Sequence, residues 1–432
     1  MPDGLGAYTE RGSLFVFANH ELSATGVAST NGGAPFTYAR VSKLEIDRRS
    51  LSVVRGLNVE DGRSLLVRLC SATWVDIDEN FPTGYFLTGE ESSPTASGSI
   101  VSAIDKNGAR TPLPHLGSFS HENQIAVPGF GRRKVVSIGL DDTNGASELY
   151  MYVAHNEAAF IAGAGRLYVF RTAAKSAAGN PLHSGNMTDG QTISGEFAEI
   201  ADPADLGSPV AARFANLQTK ADRLGAMPFV RIEDGDYAKG DDDRDGDRER
   251  GDEHDDDSAR PAIYFVDTGS PTTSGRTQVG ASCGGVCDPA GSLYRMEFDR
   301  RDPTTGATLT LLLRSKGAAT GWASPDDIAT TRLSIMIQED PAYPGFDGSR
   351  APAIWNMKLR RGGRDVTPEV KVVQATQETL IPGAGKCVDT AGQCWETFPG
   401  SYARSAAIPA CGGAPNRVIA GCSRCWFRCR IA

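Results

Sequence analysis

No run of about 18 consecutive apolar residues occurs in this chain, which excludes an ordinary membrane-spanning helix. Histidine is scarce, at 6 of 432 residues. Neither a His-Glu-x-x-His helix nor a Gly-x-Ser-x-Gly elbow is present, so a histidine zinc site and a serine nucleophile elbow are not expected. Long amphipathic helices are hard to find. No signal peptide is visible: Pro2-Asp3-Gly4-Leu5-Gly6-Ala7-Tyr8 reads as a turn and a strand start inside a domain, so an upstream segment is expected to be missing. A general basic surface is also lacking. The formal charge is −9, yet residues 233–257 alone carry 14 Asp and Glu against 4 Lys and Arg, so the rest of the chain is close to neutral. A nucleic-acid partner is therefore not expected.

Turn formers and short apolar runs are plentiful. The 49 Gly and 24 Pro are spread along the chain and suit many turns between short strands. Runs rich in β-branched and aromatic residues occur at Leu51–Val54, Lys134–Ile138, Leu149–Val153, Leu167–Phe170, Ile263–Val266 and Lys371–Val373. Strands opening on Leu-Tyr recur at Leu149, Leu167 and Leu293, as four-stranded blades around a channel would require. The expected class is all-β, a β-propeller over residues 1–397, with a β-sandwich or barrel as the structural alternative.

Several strand-like runs end on acidic residues: Asn19-His20-Glu21, Gly89-Glu90-Glu91, His121-Glu122, Arg231-Ile232-Glu233-Asp234 and Gln338-Glu339-Asp340. Adjacent strand residues point to opposite faces, so one carboxylate of a pair can face a shared axis while its neighbour braces a loop. Brought together, such ends make an oxygen-rich cage for a hard cation such as calcium. The six histidines offer less: His20 and His121 precede a Glu, but a lone histidine is more often structural.

Two segments stand apart. Residues 234–260 read as an acidic low-complexity insertion; within it Asp241–Asp252 matches a calcium loop at positions 1, 3, 5 and 6 but carries Asp at position 12 in place of Glu, so a solvated loop is preferred. Of the nine cysteines, Cys70 lies in a short apolar run and reads as buried. Cys283 and Cys287, like Cys387 and Cys394, suit a small disulfide loop or free thiols. Cys411, Cys422, Cys425 and Cys429 crowd the end. The tail 398–432 reads as atypical, and a non-native end is preferred to a zinc module.

Over roughly residues 1–397 the chain resembles the PhoX-type alkaline phosphatases. The resemblance rests on Pro2–Tyr8 with Asn19-His20-Glu21, Thr88-Gly89-Glu90-Glu91, His121-Glu122, Arg231-Ile232-Glu233-Asp234, Ser324-Pro325-Asp326-Asp327, Gln338-Glu339-Asp340 and Trp395-Glu396-Thr397. It implies a propeller with a polynuclear metal centre at one end of its channel, calcium-dependent hydrolysis of a small phosphate monoester, and export to the periplasm or beyond. Glu90, Glu91, Glu122, Glu233 and Glu339 are then the expected metal ligands, with Asp326 and Asp340 as further candidates. Arg231 is the expected phosphate contact, its alternative being an ion pair with Glu233. No side chain is assigned as nucleophile. In the best-known form of the family the residue before the Glu pair is a cysteine that bridges two irons, whereas this chain has Gly89; calcium is therefore the expected cofactor and iron the alternative. A non-catalytic secreted calcium-binding propeller and a calcium-dependent ester or lactone hydrolase are the competing functions. A monomer is expected.

Overall fold

A computed structural model describes residues 2–24, 37–92, 95–131, 134–143, 147–239, 260–270, 288–340, 352–360, 363–367, 369–374, 386–388 and 394–396. The core of the acidic block, Cys283 and Cys287, and the tail from 397 onward lie outside them.

Antiparallel strands follow one another as up-and-down blades. The first blade holds β1 (Pro2–Glu10), β2 (Ser13–His20), β3 (Arg40–Asp47) and β4 (Val53–Glu60). The second holds β5 (Ala72–Val75), β6 (Tyr85–Gly89), β7 (Val101–Asp105) and β8 (Arg110–Leu113). A nine-stranded sheet supplies two more. Its one half is β9 (His121–Ala126), β10 (Val135–Asp141), β11 (Leu149–Ala154) and β12 (Arg166–Arg171), joined through β13 (Thr192–Ile200) to β14 (Ile232–Tyr237), β15 (Ala262–Asp267), β16 (Ser292–Glu297) and β17 (Ala307–Arg314). β13 pairs β12 along Glu196–Ile200 and β17 along Thr192–Gly195, so one long outer strand staples the third blade to the fourth. The fifth blade is β18 (Pro325–Thr330), β19 (Ser334–Glu339), β20 (Ala353–Arg360), β21 (Asp365–Val366) and β22 (Val370–Gln374). A short pair, β23 (Lys386–Val388) and β24 (Cys394–Glu396), follows.

The expected all-β propeller is thus the fold, and each apolar run named above overlaps a strand. β1, β5, β9, β14 and β18 are the first strands of their blades, and β1 touches β5, β5 touches β9, β9 touches β14, and β14 touches β18 around the channel. Apolar layers between neighbouring blades bind the ring. Phe17 and Val41 meet Phe86 and Ile104 between the first two blades; Leu87 and Val101 meet Tyr150 and Val169 between the next two. Ile138 and Met151 meet Phe265 and Tyr294 farther on, and Val266 and Leu293 meet Ile335 and Trp355 at the last of these seams. Burying side chains of this size is worth roughly 1.5–3 kcal/mol each.

One element departs from expectation. α1 (Glu157–Ile161) is a single turn or so, but α2 (Val210–Leu224) is a 15-residue helix between β13 and β14. Its alanines favour helix, Leu217 and Ala221 are buried under it, and Gly225 ends it at φ +75°. A stripe so narrow leaves little apolar periodicity to read.

Candidate metal centre

One backbone device recurs in four blades and aims the functional side chains. The residue just beyond the second strand donates its amide to the carbonyl of a residue ahead of the first strand: Glu91 to Arg68 at 2.9 Å, Asp142 to Ser120 at 2.9 Å, Thr268 to Arg231 at 2.9 Å and Asp340 to Ser324 at 2.9 Å. Two residues after each of those carbonyls comes a side chain on the channel: Cys70, Glu122, Glu233 and Asp326. Asp3, near the start of β1, is its counterpart in the first blade. Two rings of side chains result, Asp3, Cys70, Glu122, Glu233 and Asp326 from the first strands, and Glu21, Glu91, Asp142, Thr268 and Asp340 from the ends of the second. The backbone is strained to do it: Arg68, Arg231 and Ser324 have φ of +48°, +61° and +46°, in the left-handed region that side chains seldom adopt.

The two members of each strand-end pair divide their work, and here two expected ligands are corrected. Glu90 is fully buried and its carboxylate accepts from the amides of Val67 at 3.1 Å and Ile100 at 3.3 Å and from the Ser97 hydroxyl at 2.6 Å. Glu339 likewise accepts from the amides of Ala323 and Ala353, each at 2.8 Å. Both carboxylates accept from loop backbone, and among the described residues neither belongs to a possible metal-binding group. Asp141 does the same with the Thr143 amide at 3.0 Å. Their neighbours Glu91, Asp142 and Asp340 face the cleft.

Among the described residues, ligand atoms lie within 4.8 Å of one another in three groups: Asp3 with Glu21 and Cys70, Cys70 with Glu91 and Glu122, and Glu122 with Glu233 and Asp326. Cys70 belongs to the first two and Glu122 to the last two, so the groups form a chain with a sulfur at one junction and a carboxylate at the other. Asp142, Asp340, Arg68 and Arg231 complete the walls. Of the expected ligands, the structure brings together Glu91, Glu122, Glu233, Asp326 and Asp340. Asp3, Glu21, Cys70 and Asp142 were not assigned from sequence; the Asp141-Asp142 pair ends a strand in the same way as the others and could have been.

The thiol position needs a second correction. Gly89 is not where a cysteine belongs, because a Cβ there would stand 2.3 Å from His121 Cβ. The sulfur at the centre is that of Cys70, buried and donating to Glu91 Oε2 at 2.6 Å. Arg231 takes the alternative foreseen for it. Its Nη2 donates to Asp142 Oδ2 at 2.5 Å and to Glu233 Oε1 at 3.0 Å, and all three side chains are buried. His121 is structural: burial pushes its pKa down to about 3, keeping the ring neutral beside Gly117 O at 3.2 Å.

Burial sets the electrostatics. It pushes Glu122 well above the usual carboxylate range, reinforced by Glu91 and Glu233; it does the same to Glu233, reinforced by Asp142 against the opposing charge of Arg231. Asp326 is raised by burial, Asp327 and Asp340, and Asp3 by burial, Asp327 and Glu21. Asp142 is pushed up to about 7 by burial, with Arg231 pulling it down. One layer along the channel, Asp234 is pushed up to about 7 by burial and Asp327, while holding Asn123 Nδ2 at 2.5 Å. Burial raises the Cys70 thiol as well, helped by Glu21 and Glu91.

No protein-family model matches the chain, and no curated protein does. Solved structures are similar at low identity. A glycosyl hydrolase from Bacteroides ovatus is 8% identical over 86% of this chain and 87% of its own, with a TM-score of 0.36. A polysaccharide lyase of family PL25, an ulvan lyase, is 9% identical over 86% and 70%, at 0.39. The GH43_1 enzyme from Xanthomonas citri complexed with xylose is 10% identical over 85% and 74%, at 0.29. None of these names is that of a phosphatase, so the expectation of a phosphoric monoester hydrolase meets no counterpart among them and is not carried further. At such scores they assign no activity of their own to this chain.

Proposed function

We propose that the chain is a metal-dependent hydrolase with a polynuclear centre at the channel mouth, acting on carboxylic esters or lactones. The observation that carries the reading is the sharing of donors, Cys70 between two groups and Glu122 between two, which suits ions held side by side. The residues fit such ions: each group brings its three ligand atoms within 4.8 Å of one another, and the donors are anionic once deprotonated. Glu122, Glu233 and Asp326 form an all-oxygen group suited to calcium. The two groups containing Cys70 suit a softer transition ion such as iron. Bound there, such ions would polarise a substrate carbonyl and acidify a water.

The chain's own residues hold and tune the site. Glu90, Asp141 and Glu339 fix the loops, and Arg231 offsets part of the charge of Asp142 and Glu233. The resemblance to PhoX-type proteins enters as a proposal for the architecture of the centre, without their reaction. A periplasmic or secreted setting belongs to the same proposal, since weak oxygen sites fill at the 10⁻⁴–10⁻³ M calcium typical of extracellular modules.

The test is a chelated protein assayed against an ester and lactone panel, then refilled with calcium alone and with calcium plus iron. Activity lost on chelation and restored by metal supports the reading. Protein that binds calcium, stays folded and opens neither bond class would instead be a non-catalytic calcium-binding propeller.

A further inference from the structure

Two arginines occupy equivalent places in this ring, and they differ in what their guanidinium groups can reach. Arg68 and Arg231 each lie two residues before a first-ring side chain, each with positive φ, and each accepts a second-strand amide on its carbonyl oxygen. Arg231 keeps only 5% of its side-chain surface exposed and is clamped between Asp142 and Glu233. Arg68 keeps 35%. Its backbone is pinned from both sides, its amide on Leu22 O at 2.9 Å and its carbonyl on the Glu91 amide.

The contacts of the Arg68 side chain include two kinds. Nε donates to the Glu91 backbone oxygen at 2.8 Å, and Nη2 donates to the Glu91 carboxylate oxygens at 2.7 and 2.6 Å. Nη1 lies 3.5 Å from Glu21 Oε1. Glu21 and Glu91 each belong to one of the possible metal groups with Cys70. A cation there competes with Arg68 for both carboxylates. It does not compete for the backbone oxygen, so the guanidinium would stay anchored through Nε while its Nη edge turned to the cleft.

We propose that Arg68 binds an oxyanion group of the substrate, a carboxylate or sulfate, and does so once metal has engaged Glu91 and Glu21. This rests on the metal centre proposed above. The planar fork suits bidentate contact with such a group. Its specificity role falls to Arg68 and not to Arg231, the arginine that the sequence singled out.

Calorimetry with sodium sulfate and, separately, sodium acetate tests it, on protein stripped with EGTA and on protein loaded with calcium and iron, with metal content measured in each sample. Loaded wild-type protein should bind at least one of the two anions, and stripped protein neither. Arg68→Ala should weaken binding about tenfold or more, the usual worth of a charged hydrogen bond, with metal content unchanged. Arg68→Lys, which keeps the charge and guards against a folding defect, should fall between. Sulfate binding without acetate binding assigns a tetrahedral group, and the reverse a planar one. Loaded wild-type protein that binds neither anion, or Arg68→Ala binding as well as wild type, overturns the proposal and leaves the metal centre standing. Wild-type protein that takes up no metal overturns both.

Discussion

Raising the pH should weaken the metal-free protein, the opposite of the trend set by carboxylates in ordinary ion pairs. Asp142 and Asp234 are each raised from 3.8 to about 7 by burial. A folded pKa above the unfolded one means that the folded state holds the extra proton, so the stability is fully present below about pH 4 and is lost as pH climbs through about 7. Each pKa unit corresponds to about 1.4 kcal/mol. Between pH 5 and 8 about two units are spanned, roughly 3 kcal/mol for one carboxyl alone. The acids adjoin one another and are not additive, which leaves a loss of a few kcal/mol against a total stability of about 5–15 kcal/mol. Urea midpoints in EGTA at pH 5 and pH 8 measure it; saturating calcium should remove most of the slope, because cations take over from protons. A metal-free midpoint that is level or higher at pH 8 would refute the reasoning.

Three substitutions separate the roles assigned to neighbouring residues. Gly89→Cys should cost about 1–3 kcal/mol by overpacking, because its Cβ meets the buried His121 Cβ at 2.3 Å, and it should add no iron; an unchanged urea midpoint contradicts this. If the proposed ions are bound, Cys70→Ser should retain calcium at Glu122, Glu233 and Asp326 and lose the transition ion proposed beside Cys70, as read by elemental analysis; equal iron content in both proteins would rule out the sulfur as ligand. Glu90→Gln should lower stability by about 1–3 kcal/mol with metal content intact, whereas Glu91→Gln should lower metal content with the smaller effect on folding, and the reverse pattern would exchange their roles.

The division of labour within strand-end pairs was legible in the sequence, since period-two alternation requires that Glu90 and Glu91 point apart. Which of the two reaches the channel was not, because that depends on where the ladder between first and second strands breaks. The register shift between Leu140 and Asp141 goes with the second residue of its pair, Asp142, on the cleft, whereas across the shifts between Ile232 and Gly235 and between Pro325 and Ile328 the first carboxylate, Glu233 or Asp326, faces it. Cys70 was read as a buried thiol, correctly, but its functional place follows from equivalence with Glu122, Glu233 and Asp326, which appears only when the blades are superposed on one another. Arg231 illustrates a further limit: a guanidinium two residues from a carboxylate is compatible with ligand contact or ion pairing, and the approach of Asp142 from another blade decides.

The sharing of donors among blades also has a mechanical side. The first blade contributes Asp3 and Glu21, the second Cys70 and Glu91, the third Glu122, the fourth Glu233 and the fifth Asp326, so no group of three ligands draws on a single blade. Cations seated there would act as an axle pin through the wheel. Blades that otherwise touch only their neighbours would then share one fastening, and opening any seam would pull on it. With the pin in place the ring should unfold in a single concerted step; without it, blade by blade from the weakest seam.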